Sequence, residues 1–191
     1  RLPMLSIGGV DQIYQVLETS FTMHEQTREP SVEFQSPGSA CWDSAQQWAQ
    51  SVVDHSGEES PREYVERLEE EPPTDHLSFA LGISLGRFGS NAEGVLNPGT
   101  ASLDKVLSHG ILFLDCSLDE ADHRDSLGDP GAAALHSVWE QRRQDISTRR
   151  NLRQWLALEF FKSVHKDMYD NRPIHWPLSS RNKTFVAWIN I

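Results

Sequence analysis

Two prolines, Pro173 and Pro177, exclude a helix from the segment NRPIHWPLSS near the end of the chain. Proline fixes φ, lacks a backbone N–H and drives the residue before it toward extended geometry. Arg172 and Trp176 are therefore expected to be extended, which makes the segment a rigid elbow. We expect Trp176 to anchor this elbow in the core, and the elbow to join a small sheet.

Helical periodicity dominates the chain before the elbow. Apolar residues three and four positions apart predict helices over residues 10–27, 40–55, 75–88, 133–146 and 148–171. The helix over 75–88 is apolar nearly all round and is expected to be buried. Extended segments are predicted at residues 110–115, 173–176 and 183–191. The predicted fold is mainly α: a helical domain with a small β-sheet formed by the C-terminal extended segments, in the α+β class.

One further helix is predicted over residues 60–71, SPREYVERLEEE. Ser60 is suited to cap its N-terminus, Pro61 to occupy its first turn, and Glu63 to complete a capping box. The two prolines that follow are expected to end it. This helix would lie in the acidic half of the chain.

The charges divide the sequence into two parts. Residues 1–80 contain four Lys and Arg against fifteen Asp and Glu, whereas residues 81–191 contain thirteen of each. The acidic part would repel phosphates, while the second part can contact them locally. We predict an acidic helical lead-in over residues 1–76 and a helical region with the sheet over residues 77–191, together one compact unit truncated at both ends. Without a run of about eighteen apolar residues, no membrane span is predicted.

The sequence lacks several common catalytic, metal-binding and nucleotide-binding motifs. The eight histidines are scattered without HExxH, and neither GxSxG nor a Walker loop occurs. The acidic stretch from residue 115 to 123 is expected to be an exposed loop. Cys41 and Cys116 are expected to be reduced thiols of a cytoplasmic protein, and Gly82 and Gly86 to be small faces where helices approach closely. We predict no catalytic residue, no cofactor and no metal in this chain.

The most basic stretch, residues 142–153, carries five arginines and one aspartate. At about 100° per residue, Lys162 lies roughly opposite Arg153 on the same predicted helix. These charges therefore do not form one stripe along a duplex. They are expected to flank an apolar face that belongs to the core, and DNA contact by this helix is the alternative.

Two longer motifs resemble a known family. The segment LSFALGISLGRF at 77–88 and the segment from FFKSVH to RPIHWPLSS at 160–180 are similar to stretches beyond the catalytic domain of large adenine-specific DNA methyltransferases of the PglX kind. These enzymes occur in BREX phage-defence systems and have type IIG restriction–modification relatives. The matching residues are Leu77, Ser78, Phe79, Gly82, Gly86, Arg87, Phe88, Phe160, Phe161, His165, Arg172, Pro173, Ile174, Trp176 and Ser179.

The resemblance implies a piece of a larger enzyme. The family binds S-adenosylmethionine through a Gly-rich loop and holds a flipped adenine with N-P-P-[YFW], and this sequence has neither. Its nearest match, Asn97-Pro98-Gly99, lacks the second proline and the aromatic residue and is expected to be a turn. We therefore expect no methyl transfer by this chain, with S-adenosylmethionine implied for the parent enzyme and the rest of that methyltransferase as its partner. The family pattern leads us to expect a His-Arg beyond Ile191.

The elbow is the predicted contact with DNA. Arg side chains and hydroxyl groups can hold a DNA duplex by its phosphates without reading the base sequence. The elbow can present five polar side chains to the phosphates, namely Arg172, Ser179, Ser180, Arg181 and Lys183. The alternative is that Arg172 pairs with a helix C-terminus, Asp167 or Asp170, so that the elbow only braces the fold.

Three functions are compatible with the sequence. The first is a non-catalytic helical spacer that positions DNA within a larger N6-adenine methyltransferase. The second is a free-standing acidic helical domain that docks a basic protein partner. The third is an intact small enzyme with an unrecognised site.

Overall fold

The computed structural model describes residues 9–55, 63–85, 87–88, 111–115, 130–146, 148–172, 175–179, 181–182 and 185–190. The helices and strands are α1 (Val10–Thr27), α2 (Trp42–Asp54), α3 (Pro73–Ser84), β1 (Ile111–Asp115), α4 (Pro130–Arg142), α5 (Leu152–Trp155), a π-helix (Leu156–His165), α6 (Lys166–Met168), β2 (His175–Ser179) and β3 (Phe185–Asn190). The predicted class, mainly helical with a small antiparallel sheet, is confirmed. The chain divides into two compact units, Arg1–Glu71 and Pro72–Ile191, and the sequence-based boundary at residue 76 stays a prediction.

Unit 1 is built on the packing of α1 against α2. The buried side chains of α2 are small or β-branched, namely Ala45, Ala49 and Val52. Ser20 of α1 is buried beside Cys41, whose Sγ lies 3.4 Å from the Ser20 Oγ. Cys41 is a free thiol, in line with the expected reduced cysteine, whereas Cys116 lies outside the described residues.

The helix predicted over residues 60–71 is wrong, because residues 63–72 form no regular element. The Glu69 N–H donates to the Ala40 carbonyl at 2.7 Å, and the Glu69 carboxylate accepts from the Asp43 N–H at 2.8 Å. Glutamates at a helix C-terminus oppose the macrodipole, whereas a carboxylate at the first turn of α2 is favoured and satisfies an otherwise unpaired N–H. These contacts with α2 outweigh the local capping signal.

Unit 2 buries α3 almost completely, as its apolar sequence predicts. Pro73, expected to end the preceding helix, is the first residue of α3, where proline loses no helical hydrogen bond. The aliphatic side chains of α3 join a core with tryptophans from α4, α5 and β3. The buried residues of this core are Leu77, Ala80, Leu81, Leu85, Leu112, Leu135, Trp139, Leu152, Trp155, Leu156, Phe160 and Trp188.

The sheet has three antiparallel strands in the order β1-β3-β2. The predicted strand at 110–115 therefore joins the two C-terminal strands. Trp188 of the central strand stands opposite Leu112 on β1 and Pro177 on β2. Directly opposite residues project from the same face of an antiparallel sheet. This face is buried, since Trp188 and Leu112 have no exposed surface.

The helix predicted over residues 148–171 is present, but its middle ten residues are a π-helix. In an α-helix, His165 would lie about 180° around the axis from Leu156. The π-helix closes its hydrogen bonds to the fifth residue and turns less per residue. Leu156, Phe160 and His165, spaced four and five apart, therefore share one buried face. The π-helix brings His165 into the core.

Candidate functional site

Residues from the segments 77–88 and 160–180 meet in unit 2. Arg87 follows α3, and its Nη1 donates a hydrogen bond to the Tyr169 hydroxyl. The Arg87 guanidinium lies 4.6 Å from the centroid of the Phe88 ring and 5.0 Å from that of the Tyr169 ring. Two segments about eighty residues apart in sequence are thus joined by one cation and two aromatic rings.

A buried histidine pair lies beside Tyr169. His165 ends the π-helix and His175 begins β2, and their Nε2 and Nδ1 atoms are 3.1 Å apart. The ring centroids are 5.0 Å apart, and neither residue has exposed surface. One ring donates an N–H to the lone pair of the other. This hydrogen bond connects the helical segment to the edge strand β2, which lies within the elbow.

Both histidines are held neutral. Burial, followed by the positive charge of Arg87, lowers the pKa of His165 from 6.5 to about 4. Burial, followed by the charges of His165 and Arg87, lowers the pKa of His175 from 6.5 to about 3. An imidazole that stays neutral at pH 7 and has no route to solvent is suited to bracing the fold and poorly suited to general acid catalysis.

Three buried nitrogens around the pair have no hydrogen-bond partner in the described part of the chain. They are His165 Nδ1, His175 Nε2 and Trp188 Nε1. The Trp188 ring meets that of His165 edge-on at 5.8 Å. Among the described residues, no three His, Cys, Asp or Glu side chains are placed to share a metal ion. We call His165, His175, Trp188, Tyr169 and Arg87 the histidine cluster.

Gly82 leaves room for the Phe88 ring, against which the Arg87 guanidinium of this cluster lies. A Cβ atom at residue 82 would lie 2.3 Å from Cε2 of Phe88, so only glycine leaves room for that ring. The nearest neighbour of Gly82 is the Phe88 ring, and the close approach of a second helix at Gly82 stays a prediction. Gly86 lies outside the described residues.

The predicted DNA contacts lie around β2. Arg172 and Arg181 are exposed, and Ser179 is the last residue of β2. Ser180 and Lys183 lie outside the described residues. The strand between the two arginines is roughly 13 Å long, from four rises of about 3.3 Å. The two arginines therefore flank opposite ends of one edge strand.

The alternative role of Arg172, an ion pair with a nearby carboxylate, is not seen. Asp167 and Asp170 are both described, and Arg172 forms an ion pair with neither. Asp170 and Asn171 have φ values of 50° and 62°, a left-handed conformation that Asp and Asn tolerate better than most residues. The Arg172 N–H then donates to the Tyr169 carbonyl at 2.8 Å. This turn fixes the backbone of Arg172 and leaves its side chain in solvent.

Trp176 is not the core anchor that the sequence suggests. It is 45% exposed, and its ring rests on that of Phe161 at 5.4 Å between centroids. Side chains alternate along a strand, so His175 and Pro177 share the buried face with Trp188 while Trp176 projects from the other face. His175 and Trp188 anchor the elbow in its place.

Several arginines of the basic stretch have partners within the protein. Arg143 pairs with Glu140 at 3.8 Å and Arg150 pairs with Glu159. Arg153, expected beside the apolar face, is completely buried. Direct DNA contact by Arg153 would therefore require the core to open.

Comparison with protein-family models, curated proteins and solved structures found no match. In the described part of the chain, no helix combines the length and the apolar character needed to cross a membrane. The sequence did not predict the histidine pair, although its motifs included His165. The pair depends on a contact between two elements and on the π-helical twist.

Proposed function

We propose that this chain is a non-catalytic helical spacer that positions DNA within a larger, cytoplasmic adenine-specific DNA methyltransferase resembling PglX, which acts in phage defence or restriction–modification. The resemblance rests on two motifs. Their convergence in the histidine cluster supports treating them as parts of one structural unit. In this proposal S-adenosylmethionine binds elsewhere in the parent enzyme.

The observation that carries the DNA-positioning role is the pair of exposed arginines at the ends of β2. Neither Arg172 nor Arg181 forms an ion pair with a described carboxylate. An arginine that has no internal partner can form charge-assisted hydrogen bonds with phosphate. The proposed contact reads no bases and fixes only the position of the duplex.

The histidine cluster gives this contact its rigidity. His175 begins β2 and is held by His165, while the turn before Arg172 is held by the Tyr169 carbonyl. Side chains that bind DNA weakly gain from a backbone that is already ordered, because less entropy is lost on binding. In this proposal the buried pair positions the strand and does not contact the nucleic acid.

The test compares two double variants that lose the same charge. Fluorescence anisotropy with a labelled 20-base-pair duplex at low salt would measure the affinity of the full chain, which we expect to be weak. Arg172→Ala with Arg181→Ala should weaken binding about tenfold or more. The control, Arg143→Ala with Arg149→Ala, removes two exposed arginines outside β2 and its flanking turns. Equal weakening by both pairs, or no binding of the wild-type chain, would contradict the proposed contact.

A second measurement addresses the non-catalytic role. Because the sequence has no Gly-rich loop and no N-P-P-[YFW], we expect no heat of binding when S-adenosylmethionine is titrated into the chain. An affinity in the micromolar range would contradict this assignment.

A further inference from the structure

A stripe of apolar side chains on α1 is exposed. Val10, Tyr14 and Phe21 are 54%, 63% and 48% exposed, and Leu17 between them is half-buried. Their spacing of four, three and four residues keeps them within about 60° of arc on a helix. The stripe extends roughly 16 Å along the axis, at about 1.5 Å per residue. A continuous exposed apolar stripe of this kind is typical of a protein-interaction site.

An acidic row borders the stripe. Asp11, Glu18 and Glu25 are spaced by seven residues, nearly two helical turns, and therefore lie along one side of the apolar residues. The Tyr14 hydroxyl donates to Glu18 at 3.2 Å, which links stripe and row. Glu25 is already paired with Arg28 at 2.9 Å, so Asp11 and Glu18 are the carboxylates available to a partner. Residues 10–27 contain no Lys or Arg.

The other border of the stripe faces α2. Ser20 lies about 90° around the helix from the centre of the stripe and is buried beside Cys41. Phe21 marks the transition, since its ring meets Trp42 edge-on at 5.2 Å. The packing of α1 on α2 therefore leaves Val10, Asp11, Tyr14, Glu18 and Phe21 exposed while fixing their orientation.

The negative charge of this surface indicates which kind of partner can bind it. Residues 1–80 carry fifteen acidic and four basic residues, so this surface repels nucleic acid and anionic lipid. A second copy of the chain would bring two acidic rows together. A helix with an apolar face and a row of Lys or Arg beside it complements both features.

We propose that α1 is a docking surface for a basic amphipathic helix of a partner protein. Val10, Tyr14, Leu17 and Phe21 receive its apolar face, and Asp11 and Glu18 pair with its basic row. This proposal is independent of the DNA contact, because it uses other residues, in unit 1, and a partner of opposite charge.

The experiment uses the full chain and a fluorescein-labelled 14-residue peptide with the repeat Leu-Lys-Lys-Leu-Leu-Lys-Lys as probe. Val10→Ser with Tyr14→Ser should weaken binding about tenfold, because both side chains leave the contact. Asp11→Asn with Glu18→Gln should weaken binding at low salt and reduce its dependence on salt. The control, Val32→Ser with Glu33→Gln, changes exposed residues outside α1, Val32 being 88% exposed, and should bind as the wild type does.

A second peptide separates docking from simple charge attraction. It has the same composition, but its order is changed so that no helical face is apolar. The proposal predicts binding at least tenfold weaker than that of the amphipathic peptide. Equal binding of both peptides, or an unchanged affinity in the Val10 and Tyr14 double variant, would overturn it. Circular dichroism of each variant checks that the helices are intact.

Discussion

Acid should destabilise unit 2 through the buried histidine pair. The pKa values of His165 and His175 are lowered to about 4 and about 3 in the folded chain, whereas an unfolded histidine titrates near 6.5. The folded state therefore binds fewer protons than the unfolded state below pH 6.5. The contribution of the neutral histidine pair to the free energy of unfolding is therefore complete above pH 6.5. It is lost as the pH falls toward 4 and then 3. At pH 5, about 1.5 units below 6.5, protonation of the unfolded state lowers the free energy of unfolding by about 2 kcal/mol for each histidine. The two histidines together lower it by about 4 kcal/mol.

Urea unfolding followed by tryptophan fluorescence at pH 7.5, 6 and 5 would measure this loss. His175→Gln removes one of the two titrating groups and should roughly halve the decrease in unfolding free energy between pH 7.5 and 5. Leu112→Val is the matched control, since it should lower stability by about 1 kcal/mol and keep the wild-type pH dependence. A change of less than about 1 kcal/mol in the wild-type unfolding free energy over this range would contradict the role of the histidine pair. The full decrease in His175→Gln would contradict it as well.

Five further substitutions, at four residues, test the structure of unit 2 by the same unfolding measurement. Trp188→Ala should lower the free energy of unfolding by about 3–5 kcal/mol and Trp176→Ala by less than about 2 kcal/mol, because only Trp188 is fully buried. Equal decreases would contradict the assigned faces of the sheet. Gly82→Ala should cost about 1–3 kcal/mol, because the new methyl group collides with Phe88, and an unchanged midpoint would contradict that contact. Asn171→Ala should cost about 1 kcal/mol because its φ is 62°, whereas Asn171→Gly should cost little; equal losses would exclude the left-handed turn.

Much of the fold could be predicted from local patterns. The spacing of apolar residues gave α1 its full length, and the apolar run at 110–115 gave β1. The two prolines of the elbow predicted an extended segment, and β2 lies there. These features depend on neighbours within a few residues, which is the range over which sequence periodicity carries information.

The errors arose where a contact distant in sequence decided the structure. Ser60 and Pro61 predicted a helix, but Glu69 is used to cap α2 instead. Trp176 is larger and more apolar than His175, yet the register of β2 on β3 places His175 inside. A π-helix changes the spacing of the buried residues, here to four and five positions. The i, i+4 spacing that is used to predict α-helices therefore does not detect it. The histidine pair required both the register and the π-helix, so it could not be derived from the sequence.

The candidate DNA contact was only partly accessible from the sequence. The presence of Arg172 and Arg181 beside the elbow was evident, but not whether their side chains were free. In the structure Arg172 follows the left-handed turn at Asp170 and Asn171 and forms an ion pair with neither Asp167 nor Asp170. The exposure of both arginines is the structural contribution to the proposal.

The salt dependence of duplex binding reports on the proposed contact between the arginines at β2 and the phosphate backbone. The slope of the logarithm of affinity against the logarithm of salt concentration counts phosphate contacts, at about 0.9 per contact. If Arg172 and Arg181 each contact a phosphate, their double alanine variant should have a slope smaller by about two ions, while the Arg143 and Arg149 control keeps the wild-type slope. A slope that is the same in all three proteins would contradict a phosphate contact at β2.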